Sequence, residues 1–151
     1  MKYSKDEIMQ YVGEEDVKFI RMAFCDVYGR QKNVSIMPGE LDRAFEYGIA
    51  IDASAIPGFG GEVHSDLLLQ PDASPLTVLP WRPEQGKTAR LICDVYTTCG
   101  EPFIGDPRGV LKRVLARAEE RGYSFNVGPE CEFFLFETDS EGRPTTKTGD
   151  E

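Results

Sequence analysis

Histidine is almost missing from this sequence. His64 is the only one, which excludes a metal centre that draws several imidazoles from this chain. The four cysteines, Cys25, Cys93, Cys99 and Cys131, include no C-x-x-C pair, the spacing that zinc ribbons and redox dithiols use. Cys93 and Cys131 lie in apolar alternations, where a thiol packs as a small hydrophobe. Basic charge is short as well: 17 Lys and Arg against 26 Asp and Glu leave a formal net charge of −9. Gripping a phosphate backbone takes clustered cations, so nucleic acid is excluded as a partner, whereas divalent cations are compatible with the acidity. No apolar run approaches the ~20 residues of a membrane span, and residues 1–10 lack the apolar stretch of a secretion signal. The chain is therefore expected to be soluble, reduced and cytoplasmic, with no membrane partner.

What is present is enough to build a core. Hydrophobic residues make up 40% of 151, which suits one medium domain, or a small domain with part of another. Ser4-Lys5-Asp6-Glu7 has the S-x-x-E form of a capping box, so a short helix should run from it to about Gly13. Val17 to Val27 alternates with Ile20, Met22 and Phe24 on one face, and Tyr28-Gly29-Arg30 turns the chain into a second strand over Gln31 to Ile36. Pro38-Gly39 breaks that strand. Glu40 to Tyr47 reads as a helix with Leu41, Ala44 and Phe45 inward and Gly48 just past its end. The segment Asp52 to Gly61, rich in Gly, Pro and small residues, is expected to be an exposed loop with few core contacts. Strands follow at Leu67–Gln70, Leu76–Leu79 and Thr88–Tyr96, the last with Leu91, Cys93 and Val95 on one face. Strand, strand, helix and further strands describe an α+β domain of the β-grasp kind.

A boundary falls in Thr97 to Gly105. Beyond it Asp106 caps a helix with Pro107 at its first position and Val110, Leu111, Val114, Leu115 and Ala118 as its apolar stripe. That helix leads to the stretch around which the chain is organised, Gly128-Pro129-Glu130-Cys131-Glu132-Phe133-Phe134-Leu135-Phe136. Read as a buried central strand, it puts Glu130 and Glu132 on one face, with Cα atoms about 6–7 Å apart. On the residues alone this pair reads first as a solvated strand end; in a buried site two carboxylates that close need cations or a proton, and they suit divalent ions. The residues after Phe136 are polar and hydrophobically empty. One helix and one strand leave backbone groups unpaired, so the chain is expected to be an N-terminal domain, residues 1–103, followed by an incomplete second domain, 104–151.

In order and spacing, several short pieces resemble one family, the bacterial type I glutamine synthetases. They are Val17-Lys18-Phe19-Ile20-Arg21, Asp52-Ala53-Ser54-Ala55-Ile56, Ser65-Asp66, Gln70-Pro71-Asp72, Pro80-Trp81, Ala89 to Asp94, Gly105-Asp106-Pro107-Arg108 and Gly128 to Phe136. The resemblance implies a β-grasp domain ahead of an α+β catalytic domain. It also implies ATP-dependent condensation of glutamate with ammonia through γ-glutamyl phosphate. The implied assembly is a dodecameric homo-oligomer with sites between subunits. Glu130 matches a ligand of the Mg²⁺ or Mn²⁺ near the nucleotide phosphates, and Glu132 a ligand of the ion near glutamate and ammonia. Asp52 matches the aspartate that reaches a neighbouring subunit's site to bind ammonium and take its proton, with Ser54 beside it.

Two departures qualify the resemblance. The family's Asp-Gly-Ser-Ser is Asp52-Ala53-Ser54-Ala55 here, and Gly60 and Gly61 stand where relatives often have a basic residue, so a ligase acting on another amine stays open. The family's other metal ligands, its nucleotide-binding residues, its glutamate-binding arginines and its flap glutamate would lie beyond Glu151. No nucleotide-binding residue is therefore expected in this chain, which would be a piece of a longer enzyme and inactive alone. A free-standing β-grasp binding module that pairs through a strand edge is the non-enzymatic alternative. A two-carboxylate glycosidase fits poorly, because both acids come from one strand rather than flanking a scissile bond. Without the resemblance, Asp52 reads as a turn residue, Trp81 as packing at a domain edge, His64 as an ordinary loop residue, Cys131 as core and Glu14-Glu15-Asp16 as a solvated helix end.

Overall fold

The computed structural model describes residues 3–60, 66–73, 76–81 and 86–149, so His64 and Ser65 lie outside the described residues. Helix α1 (Lys5–Glu14) starts at the expected capping box. The Ser4 hydroxyl accepts the Glu7 N–H at 3.2 Å and the Glu7 carboxylate accepts the Ser4 N–H at 2.7 Å, which satisfies two otherwise orphaned donors. Its apolar stripe buries Ile8 and Val12.

Strands β1 (Val17–Cys25) and β2 (Gln31–Ile36) form the expected hairpin. Their turn is organised by Asp26, whose Oδ1 accepts the N–H groups of Tyr28 at 3.0 Å and Arg30 at 2.9 Å. A single 3₁₀ turn at Pro38–Glu40 precedes α2 (Leu41–Tyr47), which buries Leu41 and Ala44 and stops at Gly48. Strands β3 (Ile49–Asp52), β4 (Asp66–Pro71), β5 (Thr77–Val78) and β6 (Lys87–Thr97) complete a six-stranded sheet. Its order is β2-β1-β6-β4-β3, with β5 also paired to β6. The central pair, β1 with β6, is parallel and every other pair is antiparallel. This first-to-last parallel pairing, with helices across one face, is the β-grasp arrangement.

One face of the sheet carries the core. Ile20, Met22, Leu69, Leu91 and Val95 are fully buried with Ile8 and Leu41 from the two helices. At about 1.5–3 kcal/mol for each large side chain removed from water, this cluster is the main favourable term holding the fold. Cys93 packs there as expected, and burial, then the charge of Asp94, pushes its thiol up to about 12.

Helix α3 (Pro107–Glu119) is capped by Asp106 with Pro107 in its first turn, as the sequence predicts, but none of its residues is buried. Val110, Leu111, Val114 and Leu115 are all exposed. The strand expected over Glu130–Phe136 does not form: residues 123–135 have no regular secondary structure and are exposed, and only Phe136–Thr138 (β7) is a strand. The reason is pairing. Among the described residues no strand runs beside 123–134, so its backbone has no ladder to join and its aromatic side chains stay exposed; only the Leu135 carbonyl, which accepts the Gly149 N–H at 3.0 Å, extends the hairpin that follows. Cys131, expected in a core, is exposed for the same reason. Strand β7 pairs instead with β8 (Pro144–Thr148) in a small hairpin, turned by the Asp139 carboxylate, which accepts the N–H groups of Glu141 and Arg143 at 2.9 Å each. Among the described residues no helix is long and apolar enough to cross a membrane.

Candidate functional site

Asp52 is the last residue of β3, where the chain leaves the sheet, and it starts a 3₁₀ turn over Ala53–Ala55. Its Oδ1 accepts two hydrogen bonds from Ser54, one from the hydroxyl at 2.6 Å and one from the backbone N–H at 2.9 Å. The Ser54 hydroxyl, and then its N–H, hold the Asp52 carboxyl below the usual carboxylate range. Ala53 is buried beneath the turn, while Asp52, Ser54 and Ala55 are exposed. The result is an ionised carboxylate presented outward in a fixed orientation.

A shallow depression of ≈ 380 Å³ opens beside it, bounded by Asp52, Ala55 and Ile56 on one side and by Lys32 and Asn33 of β2 on the other. Strands β2 and β3 stand at opposite ends of the sheet order, yet both reach this depression, so the sheet curls around it. The loop that follows is better anchored than expected. The Ile56 N–H reaches the Ala53 carbonyl and the Phe59 N–H the Ile56 carbonyl, at 3.0 Å each, and Phe59 is buried in the core. The composition of the loop concealed that one aromatic plug.

Glu130 and Glu132 do not join Asp52 and Ser54. They lie on the irregular 123–135 segment, both exposed. Their carboxylate oxygens are the donors that Mg²⁺ and Mn²⁺ prefer, but two fall well short of the roughly six positions such an ion fills. Among the described residues no group of three or more His, Cys, Asp or Glu side chains is placed to hold a metal ion. Trp81 is half-exposed.

A charged cluster that the sequence reading missed ties α3 to the sheet. The Arg108 guanidinium pairs with Asp72, just past β4, at 2.6 Å, and with Asp94 of β6. The Lys112 ammonium sits 2.6 Å from Asp94 and 3.5 Å from Asp72. A signal was available. Two aspartates interrupt or follow apolar strands, and Arg108 and Lys112 share one helix face at the i,i+4 spacing.

The glutamine synthetase β-grasp domain model matches residues 16–98, and the glutamine synthetase catalytic domain model matches residues 104–150. The chain is 54% identical over 149 residues to the glutamine synthetase of Clostridium saccharobutylicum, covering 99% of this chain and 34% of that protein. It is 45% identical over 150 residues to those of Staphylococcus epidermidis and Staphylococcus aureus, again across 34% of their length. The chain thus spans about a third of the curated relatives it matches. Among solved structures, a Plasmodium falciparum glutamine synthetase superposes with a TM-score of 0.72 over 81% of this chain and 24% of its own, at 20% identity, a likeness of fold. A GmaS–ADP complex superposes with a TM-score of 0.68 over 76% of this chain and 26% of its own, at 28% identity.

Proposed function

The chain belongs to the glutamine synthetase family, and from that membership we propose that it forms part of an ATP-dependent ligase condensing glutamate with ammonia. Residues 1–103 would be the β-grasp domain and 104–151 the opening of the catalytic domain. The observation that carries the reading is the Asp52–Ser54 pair, an outward carboxylate held ionised where an ammonium ion would have to be drawn in.

The chemistry asked of Asp52 is modest and suits a carboxylate. Its charge favours ammonium over neutral ammonia on binding. Asp52 would take one proton from the bound ammonium, freeing the lone pair that attacks the γ-carbonyl carbon; phosphate then departs with the bonding electrons, and the second surplus proton on the new amide nitrogen goes to that phosphate or to water. Ser54 keeps the acceptor oxygen aimed. Glu130 and Glu132 would each give a carboxylate oxygen to Mg²⁺ or Mn²⁺, whose chemistry is to neutralise phosphate charge during phosphoryl transfer. The remaining ligands and the ATP site would come from outside residues 1–151. We read Asp52 as serving a neighbouring subunit's site in a homo-oligomer, a dodecamer by family, in the cytoplasm.

A second reading is favoured by Ala55. It lines the depression beside Asp52 with a methyl group where the family loop carries a serine, which suits an alkylated amine. One experiment addresses both readings. Residues 1–151 would replace the matching third of the Clostridium saccharobutylicum enzyme, and ATP-dependent amide formation would be compared with ammonium and with methylammonium. Glutamine formation that collapses on Asp52→Ala supports the first reading. A preference for methylammonium, reversed by Ala55→Ser, supports the second. An assembled chimera that makes neither amide sinks both.

A further inference from the structure

The loop that carries Asp52 is seated on residues that also build the joint where α3 leaves the sheet. Phe59, 3% exposed, lies between Phe24 of β1 and Phe103, with ring centroids 5.9 Å and 5.2 Å away and the Phe59–Phe103 contact edge-on. Phe103 itself is fixed by its backbone. Its N–H donates to the Val95 carbonyl at 2.9 Å, and its carbonyl accepts the N–H of Asp106, the residue that caps α3, at 3.1 Å. Two glycines allow the parts to close. A Cβ on Gly58, whose φ is +79°, would lie 2.4 Å from the Val27 side chain, and one on Gly105 would lie 2.7 Å from the Phe103 ring and 3.6 Å from the Gly58 carbonyl. The loop is therefore pressed from the β1–β2 turn on one side and from the α3 joint on the other.

We propose that Phe103 is a positioning residue for Asp52: through Phe59 its ring seats the Ala53–Gly60 loop and couples the carboxylate's orientation to the joint from which α3 departs. Two rings in edge-on contact add little beyond their burial, so the coupling is a matter of placement more than of global stability. In an enzyme where α3 leads toward Glu130 and Glu132, a tilt of that helix would be felt at Asp52. That consequence rests on the function proposed above; the coupling itself does not.

The test uses the 151-residue chain and no catalysis. Exchange of the Ser54 amide proton with water and titration of the Asp52 carboxyl would be followed by NMR in the parent, Phe103→Ala, Phe103→Leu and Ile8→Ala chains. In Phe103→Ala the Ser54 amide should exchange on the order of tenfold faster relative to the Met22 amide of β1, and the Asp52 midpoint should rise. Phe103→Leu, which refills most of the space and guards against loss of folding, should restore most of both. Ile8→Ala should move Ser54 and Met22 together. Ser54 exchange that tracks Met22 in every variant overturns the proposal and reduces Phe103 to core filler. Because neither readout needs amide synthesis, a chimera without activity leaves this result standing.

Discussion

The Asp106 carboxylate joins two elements at once: Oδ1 accepts the Arg108 N–H in the first turn of α3 at 3.0 Å, and Oδ2 accepts the Val95 N–H of β6 at 3.3 Å. Asp106 is only 2% exposed, so neither bond is replaced by bulk water when it is lost. Replacing Asp106 by Ala removes a helix cap and strands a buried N–H, together about 2–4 kcal/mol. Asp106→Asn, which keeps an acceptor, should cost less than half of that. Urea midpoints at an unchanged slope are the measurement. Equal losses for the two variants would mean that charge, not hydrogen bonding, does the joining.

Asp52 should titrate below ordinary carboxylates. Its folded value is depressed by Ser54, so the stabilisation of the turn is present above the unfolded carboxylate value and is lost as pH falls through the folded one. Ser54→Ala removes the hydroxyl donor, the larger of the two causes, and should move the midpoint upward while leaving the backbone N–H bond in place. Carbonyl ¹³C shifts of Asp52 against pH report this directly. A midpoint unchanged by Ser54→Ala would show that the hydroxyl is turned away in solution.

Thiol reactivity should sort the four cysteines. Cys99 and Cys131 are exposed and should react with a disulfide reagent at the rate of a free thiol, Cys25 more slowly, and Cys93 only when the chain opens. Burial raises the Cys93 value from its ordinary 9.0 to about 12, so the neutral thiol belongs to the folded state. Stability from that preference is complete below the unfolded value and drains away as pH climbs from there to the folded one. Alkaline denaturation should therefore be shifted to higher pH in Cys93→Ala, provided the cavity penalty is measured separately at neutral pH.

Arg108 separates two carboxylates, Asp72 and Asp94, that Lys112 also faces. These groups are about a quarter exposed, so solvent screens them in part, and Arg108→Met should destabilise by about 1–2 kcal/mol at low salt. The loss should shrink in 1 M salt, where surface interactions are screened within about 3 Å. A loss independent of salt would assign the effect to packing of the arginine stem.

How far the sequence could be read depended on how locally each feature is specified. The Ser4–Glu7 capping box, the Asp106-Pro107 helix start and the Leu91-Cys93-Val95 alternation are each written in a few adjacent residues, and each appears in the structure. The strand at Glu130–Phe136 depends on partners from elsewhere, and an apolar pattern cannot show whether a partner is present; there the chain is irregular and exposed up to Leu135. Asp52 and Ser54 stand out in the sequence only through the family resemblance; the two hydrogen bonds that join them within one turn appear only in the structure. The Arg108–Asp72–Asp94–Lys112 cluster and the Phe24–Phe59–Phe103 stack draw on three or more separated segments, and only the folded chain assembles them.

The parallel pairing of β1 with β6 sets Val17 against Lys87 and Ala23 against Ile92. A growing chain thus emerges from the ribosome with its first strand committed on one edge, by the β2 hairpin, and bare on the other. The vacancy is filled only after almost the entire stretch 17–97 has been synthesised. Such distant closure slows folding, because the loop entropy must be overcome before the contacts that reward it exist. Until then the inner faces of Ile20 and Met22 are open to other nascent chains. A pause, a nick or a premature stop before Ile92 would leave a sticky half-sheet rather than a smaller stable domain.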